Sequence, residues 1–198
     1  MAHDNDQFIG KAEQFRRALS ELGSELEKPK EEWNWGAGNQ YLKRMAHNLW
    51  EQRNSGDTEI VCGDCNWCVH SSVLMAGSPV LNTMLSTRMR ESQERRIELP
   101  DAEPDGVEAM LEFLHTGVLP QTVDARSALK MAHMYEIPEM LACCIDVLPA
   151  QISRRNVSGI MRTLRVLKGD EAIGKLYNNV RAIITKDPSL FDAIVDDL

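Results

Sequence analysis

The chain lacks any apolar run near the roughly 18 residues that a membrane-spanning helix needs. Its start, MAHDNDQ, is polar and acidic, so no secretory leader is legible there. A basic excess is missing too: 22 Lys and Arg stand against 30 Asp and Glu, for a net charge of −8. A nucleic-acid binder ordinarily carries a positive stripe, so neither nucleic acid nor a membrane is expected as a partner. Five cysteines are an odd number, and Cys143 and Cys144 are adjacent. This fits reduced thiols in an intracellular protein, in cytoplasm, nucleus or both, better than a secreted disulfide scaffold. No HExxH, GxSxG, internal repeat or low-complexity tract occurs. No enzyme activity and no cofactor are expected.

What is present can build a core, since 43% of residues are hydrophobic and 26% charged. Phe8, Ala12, Phe15, Leu19, Leu22 and Leu26 recur at steps of four and three, a heptad seam that packs either within the monomer or between chains. EKPKEEWNWGAGN then interrupts the pattern, which sets off an N-terminal helical extension over residues 1–38. A helix over 40–53 follows, with Tyr41, Met45 and Leu49 on one face and Leu42, Ala46 and Trp50 beside them. Residues 58–70 read as a β-hairpin, and SSVLMAGSPVLNTMLS as two short helices split at Gly77 and Ser78 with Pro79 in the first turn of the second. RRIELP is a short strand. Helices are expected over 104–115, 124–135, 138–148, 156–167, 170–184 and 189–197. Few strands, gathered early, mean an α+β fold with a small sheet. Most of Met84, Met89, Met110, Met131, Met134 and Met140 fall at core spacing.

IVCGDCNWCVH, residues 60–70, holds Cys62, Cys65, Cys68 and His70, the ligand types of a zinc site. Folding the strands about a two-residue turn at Gly63 and Asp64 sets Cys62 opposite Cys65, Ile60 opposite Trp67, Thr58 opposite Val69 and Asp57 opposite His70. Side chains alternate faces, so Cys62 and Cys65 share one face while Cys68 and His70 share the other. Four ligands split in this way cannot converge on one tetrahedral point, and no metal is expected. A redox CxxC wants a helix N-terminus, and this pair straddles a strand turn beside Asp64. GDEAIGKL, residues 169–176, approaches a phosphate-binding loop but has Leu176 where a metal-binding hydroxyl is required.

Together these stretches resemble the BTB/POZ family, closest in pattern to speckle-type POZ proteins. The resemblance rests on a helix ending in LWE, on Asp57 with His70 thirteen residues later, and on VLMAGSPVL and the M-x-E-S of Met89, Glu91 and Ser92. It continues through IELPD, EPDGVEAMLEFLHTGVLP, ALKMAHMYEIPEML and ISRRNV. The order and spacing carry it, across a BTB/POZ segment of residues 39–150. The remaining 151–198 would be the helical 3-box or BACK-like segment found in cullin-binding members.

The resemblance implies a non-enzymatic module for protein–protein interaction. The implied function is that of a substrate adaptor for a cullin-3-type ubiquitin ligase; the alternative is a self-association scaffold or regulator without a ligase role. It implies a homodimer, a cullin N-terminal domain and an unidentified substrate protein as partners. The family's hydrophobic-x-Glu cullin motif matches Met89, Arg90 and Glu91, and its dimer helix implies Leu42, Met45, Leu49 and Trp50 as interface residues. Asp57 and His70 would form a structural pair. Three departures stand out: no extra residues precede the first strand, so a strand-swapped dimer is not expected; Ser71 replaces a common Lys or Arg; and His115 replaces the usual Tyr. No MATH, Kelch or zinc-finger segment is legible, so an adaptor would reach its substrate through residues 1–38, the C-terminal helices or a second protein.

Overall fold

The computed structural model describes residues 35–86 and 89–195, with side-chain exposure described from residue 39. The heptad seam of residues 8–26 lies outside them. The first described helix, α1 (Trp35–Glu51), is followed by a 3-10 turn, Arg53–Ser55. It begins earlier than its sequence pattern suggests and runs through the 38/39 division expected from the Gly-rich stretch. Gly36 and Gly38 each cost a helix only about 1 kcal/mol, too little to break it alone.

Strands β1 (Thr58–Cys62) and β2 (Cys65–Val69) form the hairpin, and β3 (Arg96–Glu98) adds to the other side of β1, giving the order β2-β1-β3. β1 pairs antiparallel with β2 in the expected register, Thr58 with Val69, Ile60 with Trp67 and Cys62 with Cys65. β3 runs parallel to β1, Ile60 lying beside Ile97. The turn works because Gly63 takes a left-handed φ of 56°, which glycine adopts without a Cβ clash. Thr58, Ile60 and Cys62 are buried, whereas Glu59 and Val61 are not.

Helices α2 (Ser71–Gly77) and α3 (Pro79–Ser86) break at Ser78. The buried Ser78 hydroxyl donates to the Tyr135 carbonyl at 2.6 Å and accepts from the Leu81 amide at 3.1 Å. One side chain therefore caps α3 and ties it to a helix end 57 residues away. Ser78→Ala leaves both partners unsatisfied in the interior, with an expected loss of about 1–3 kcal/mol, read from urea unfolding midpoints.

A short α4 (Arg90–Glu94) precedes β3. Next come α5 (Pro104–Thr116), α6 (Ala125–Met134) and α7 (Pro138–Val147). α5 ends at Gly117, left-handed at φ 71°. Gly106 lets α5 approach the Ser127 backbone, because an added Cβ would sit 3.0 Å from it. Asp124 caps α6 by accepting from the Arg126 amide. The core gathers Ile60, Val69, Leu74, Ile97, Met110 and Leu129.

A 3-10 turn, Leu148–Gln151, leads into α8 (Val157–Leu167), α9 (Glu171–Lys186) and α10 (Pro188–Val195). The Gln151 amide clasps this tail to the start of α6, accepting from the Ala125 amide at 2.9 Å and donating to the Val123 carbonyl at 3.0 Å. Asn156 then donates to the Gln151 carbonyl at 2.8 Å. The phosphate-loop lookalike is the cap of α9: the Asp170 carboxylate accepts from the Ala172 and Ile173 amides, and Leu176 is buried. The fold is thus α+β, a three-stranded sheet with helices before and after it.

Candidate functional site

The hairpin keeps the cysteines apart. Cys62 is buried on the core face, with its thiol donating to the Ala102 carbonyl at 3.3 Å. Burial, and then the neighbouring Cys65, push this thiol above its ordinary pKa. Burial likewise pushes Cys144 up to about 12, with Cys143 adding to the effect. Both are thiols rather than nucleophilic thiolates at neutral pH. Cys65 and Cys68 are exposed. Among the described residues no group of three or more His, Cys, Asp or Glu is placed to hold a metal ion.

Asp57 makes its contacts one residue beyond the expected partner. Its carboxylate accepts from the Ser71 amide at 2.8 Å and the Ser71 hydroxyl at 2.7 Å, and Arg95 approaches to 3.7 Å. His70 is instead the extended residue that opens α2, and its Nε2 lies 3.4 Å from the Ser55 hydroxyl. The residue that looked like a lost cationic position, Ser71, is the other half of the clip. The Ser71 amide and hydroxyl hold the Asp57 carboxyl below the usual carboxylate range. A depressed carboxyl stabilises the fold above its unfolded pKa of about 3.9, and the benefit disappears as pH falls through the lower folded value. Asp57→Ala is therefore expected to cost about 1–2 kcal/mol at pH 7, discounted for the exposure of this carboxylate. Urea melts should show that gap closing at pH 3.

Met89 heads α4 in extended conformation and is 47% exposed. Arg90 is exposed and binds Glu94 at 3.0 Å and Glu98 at 3.7 Å, linking α4 to β3. Glu91 lies in the first turn, half-buried. The segment is turned into β3 by Arg95, left-handed at φ 52°, whose amide donates to the Glu91 carbonyl. Its own carbonyl accepts from the Glu59 amide at 2.9 Å, fastening the turn to the sheet. Arg96 bridges Glu59 and Glu98 on the same strands. An exposed apolar knob and, two residues on, a half-buried glutamate thus sit on a short helix anchored to β1.

On α1, Leu42 and Met45 are exposed and Leu49 is half-buried. Trp50 is only 6% exposed, with its ring 5.5 Å from that of His115 and the Arg53 guanidinium 4.1 Å from its centroid. It belongs to this chain's own core, which removes it from the surface candidates.

A groove not foreseen from the pattern runs between α6 and α8. It has a volume of about 380 Å³ and is lined by Lys130, His133, Met134, Arg162, Val166 and Leu167 among others. Met134 is 58% and Val166 78% exposed. Met110, Met131 and Met140 are buried, whereas Met134 and Met89 are exposed.

The BTB/POZ domain family model matches residues 46–152, more than half of the chain. The chain belongs to the BTB/POZ family. Rat Kelch-like protein 7 is 33% identical over 117 residues, which cover 59% of this chain and 20% of that protein. BTB and MATH domain-containing protein 40 of Caenorhabditis elegans is 36% identical over 97 residues, 48% of this chain and 24% of its own. Rat Kelch-like protein 38 is 26% identical over 130 residues, 65% and 22%. The chain therefore spans about a fifth to a quarter of the length of these relatives. Among solved structures, the BTB domain of human gigaxonin is similar at 20% identity with a TM-score of 0.47, covering 55% of this chain and 92% of that one. The BTB/POZ domain is a protein-interaction module, and no helix among the described residues is long and apolar enough to cross a membrane.

Proposed function

We propose that this BTB/POZ chain is a dimeric adaptor that docks a cullin-3-type ubiquitin ligase scaffold and presents a substrate protein to it. The observation that carries this is the exposed Met89 at the head of α4, with Glu91 two residues on, on a segment fastened to the sheet. Methionine is an adaptable apolar contact, and a carboxylate beside it sets orientation through charge. The family resemblance supplies the partner, since the hydrophobic-x-Glu element of cullin-binding members falls at these residues. The α6/α8 groove supports a second contact, because such members use the helices after the core to widen their docking surface. Val166→Asp places a charge in that groove and is expected to weaken cullin binding about tenfold, read by calorimetry. The test of the proposal is co-elution: full chain and purified cullin-3 N-terminal domain should leave a sizing column as one complex, and two separate peaks would refute it.

Leu42 and Met45, exposed on α1, support self-association through that helix. An isologous interface doubles the effect of a single change. Met45→Asp should therefore convert a dimer into a monomer in light scattering at micromolar concentration. A dimer that never binds a cullin would leave the scaffold reading in place of the adaptor.

A further inference from the structure

Two imidazoles meet behind the last turn of α1, and hydrogen-bond accounting shows which nitrogens carry hydrogen. His115 in α5 is 6% exposed. Its Nδ1 lies 2.7 Å from the Leu111 carbonyl oxygen, which can only accept, so Nδ1 holds the ring hydrogen of the neutral form. Nε2 is then a bare lone pair, and it is buried without a partner. The His70 ring lies 5.9 Å away, centroid to centroid. Ser55 donates its one hydroxyl hydrogen to the Gln52 carbonyl at 2.8 Å, so its oxygen accepts from His70 Nε2. That leaves His70 Nδ1 bare as well, and it too is buried and unpartnered. Neighbouring rings thus bury two basic lone pairs with no donor for either.

Two nitrogens fall short of the four ligands a zinc ion takes, and no third metal-ligating side chain joins them among the described residues. The charges that act on His115 from the elements around it are His70 and, beyond Trp50, Arg53. Glu112, on the same helix, interacts instead with Glu108, Arg53, Glu51 and His47. Burial holds His115 below its ordinary pKa; the Leu111 hydrogen bond opposes this, and the His70 and Arg53 charges add to it. A proton entering at His115 Nε2 creates an imidazolium in a site almost closed to solvent and within the field of Arg53.

We propose that His115, packed between His70 and the Trp50 ring, is an acid-sensitive latch, which seats the last turn of α1 on α5 while its ring is neutral and releases it when a proton enters at Nε2. The direction follows from linkage. A histidine held below its usual value is protonated first in the unfolded chain, so stability is complete above about pH 6.5 and falls as pH drops below it. The latch is independent of whether a cullin binds, because its groups lie in Trp50, Arg53, the hairpin end and α5.

The test is native-state hydrogen exchange of the full chain at pH 7.5 and 5.5, corrected for intrinsic rates, read at the Trp50, Glu51 and Gln52 amides. In the wild-type protein these amides should exchange severalfold faster at the lower pH, up to the roughly tenfold that one histidine can supply, whereas in His115→Phe the two rates should agree within about twofold. Equal acid acceleration in both proteins would overturn the latch. If His115→Phe does not fold, the proton resonance at His115 Cε1 in the wild type decides. A midpoint depressed from the ordinary histidine value supports the latch, and an ordinary midpoint near 6.5 contradicts it.

Discussion

Replacing Met89 and Glu91 together by alanine is expected to weaken binding to a cullin-3 N-terminal domain by at least about tenfold, a loss of about 1.4 kcal/mol or more. The unfolding midpoint should not move. Met89 is nearly half exposed at the head of a five-residue helix, so its side chain supports little of the fold. What the change removes is an apolar contact that a partner would bury, together with the charge that fixes its register. Arg90→Ala separates this from a general surface effect. Arg90 is already paired with Glu94 and Glu98 within the chain, and exposed pairs of this kind contribute less than about 1 kcal/mol. It should reduce binding by less than threefold. A double variant that binds like the wild type would show that the cullin motif is a matter of spelling only.

Gly56→Ala should destabilise the fold by about 3 kcal/mol, the upper end of what overpacking costs. Gly56 closes the 3-10 turn before β1 with φ −65° and ψ 166°, angles any residue can adopt. The difficulty is space. A Cβ there would lie 2.1 Å from the Val69 carbonyl carbon and 2.2 Å from its oxygen, both backbone atoms of β2. No rotamer change can relieve that contact. Val69 itself is fully buried opposite Thr58, so the strand cannot retreat without disturbing the hairpin register. Urea unfolding of the variant measures the loss, and a shift below 1 kcal/mol would mean that the hairpin is looser than its packing implies.

The hairpin was legible because a turn pair at Gly63 and Asp64 fixes which residues face each other when the flanking strands fold back. The break between α2 and α3 was legible too, at Ser78 and Pro79, whereas the aspartates that cap α6 and α9 were read only as the first residues of their helices. The α+β architecture followed from those boundaries, and the family from their order. Residue placement on α1 was harder to read. Tyr41, Leu42, Met45, Leu49 and Trp50 spread apolar groups over much of the helix, so periodicity identifies faces without saying which one meets the core. Only the structure shows Trp50 turned inward onto His115.

Asp57 illustrates a different limit. Strand alternation set it opposite His70, but the chain leaves the sheet there to begin α2, and the first amide and hydroxyl of that helix take the carboxylate instead. The α6/α8 groove was invisible for a third reason. Met134 and Val166 are far apart in the chain, and each alone looks like a core residue of an amphipathic helix.

Cullin docking is tested by calorimetric titration of the full wild-type chain with a purified cullin-3 N-terminal domain. One cullin per protomer should bind with a dissociation constant of about 1 μM or tighter, corresponding to roughly −8 kcal/mol. No measurable binding with both proteins folded and at tens of micromolar, on the order of −6 kcal/mol or weaker, would contradict it.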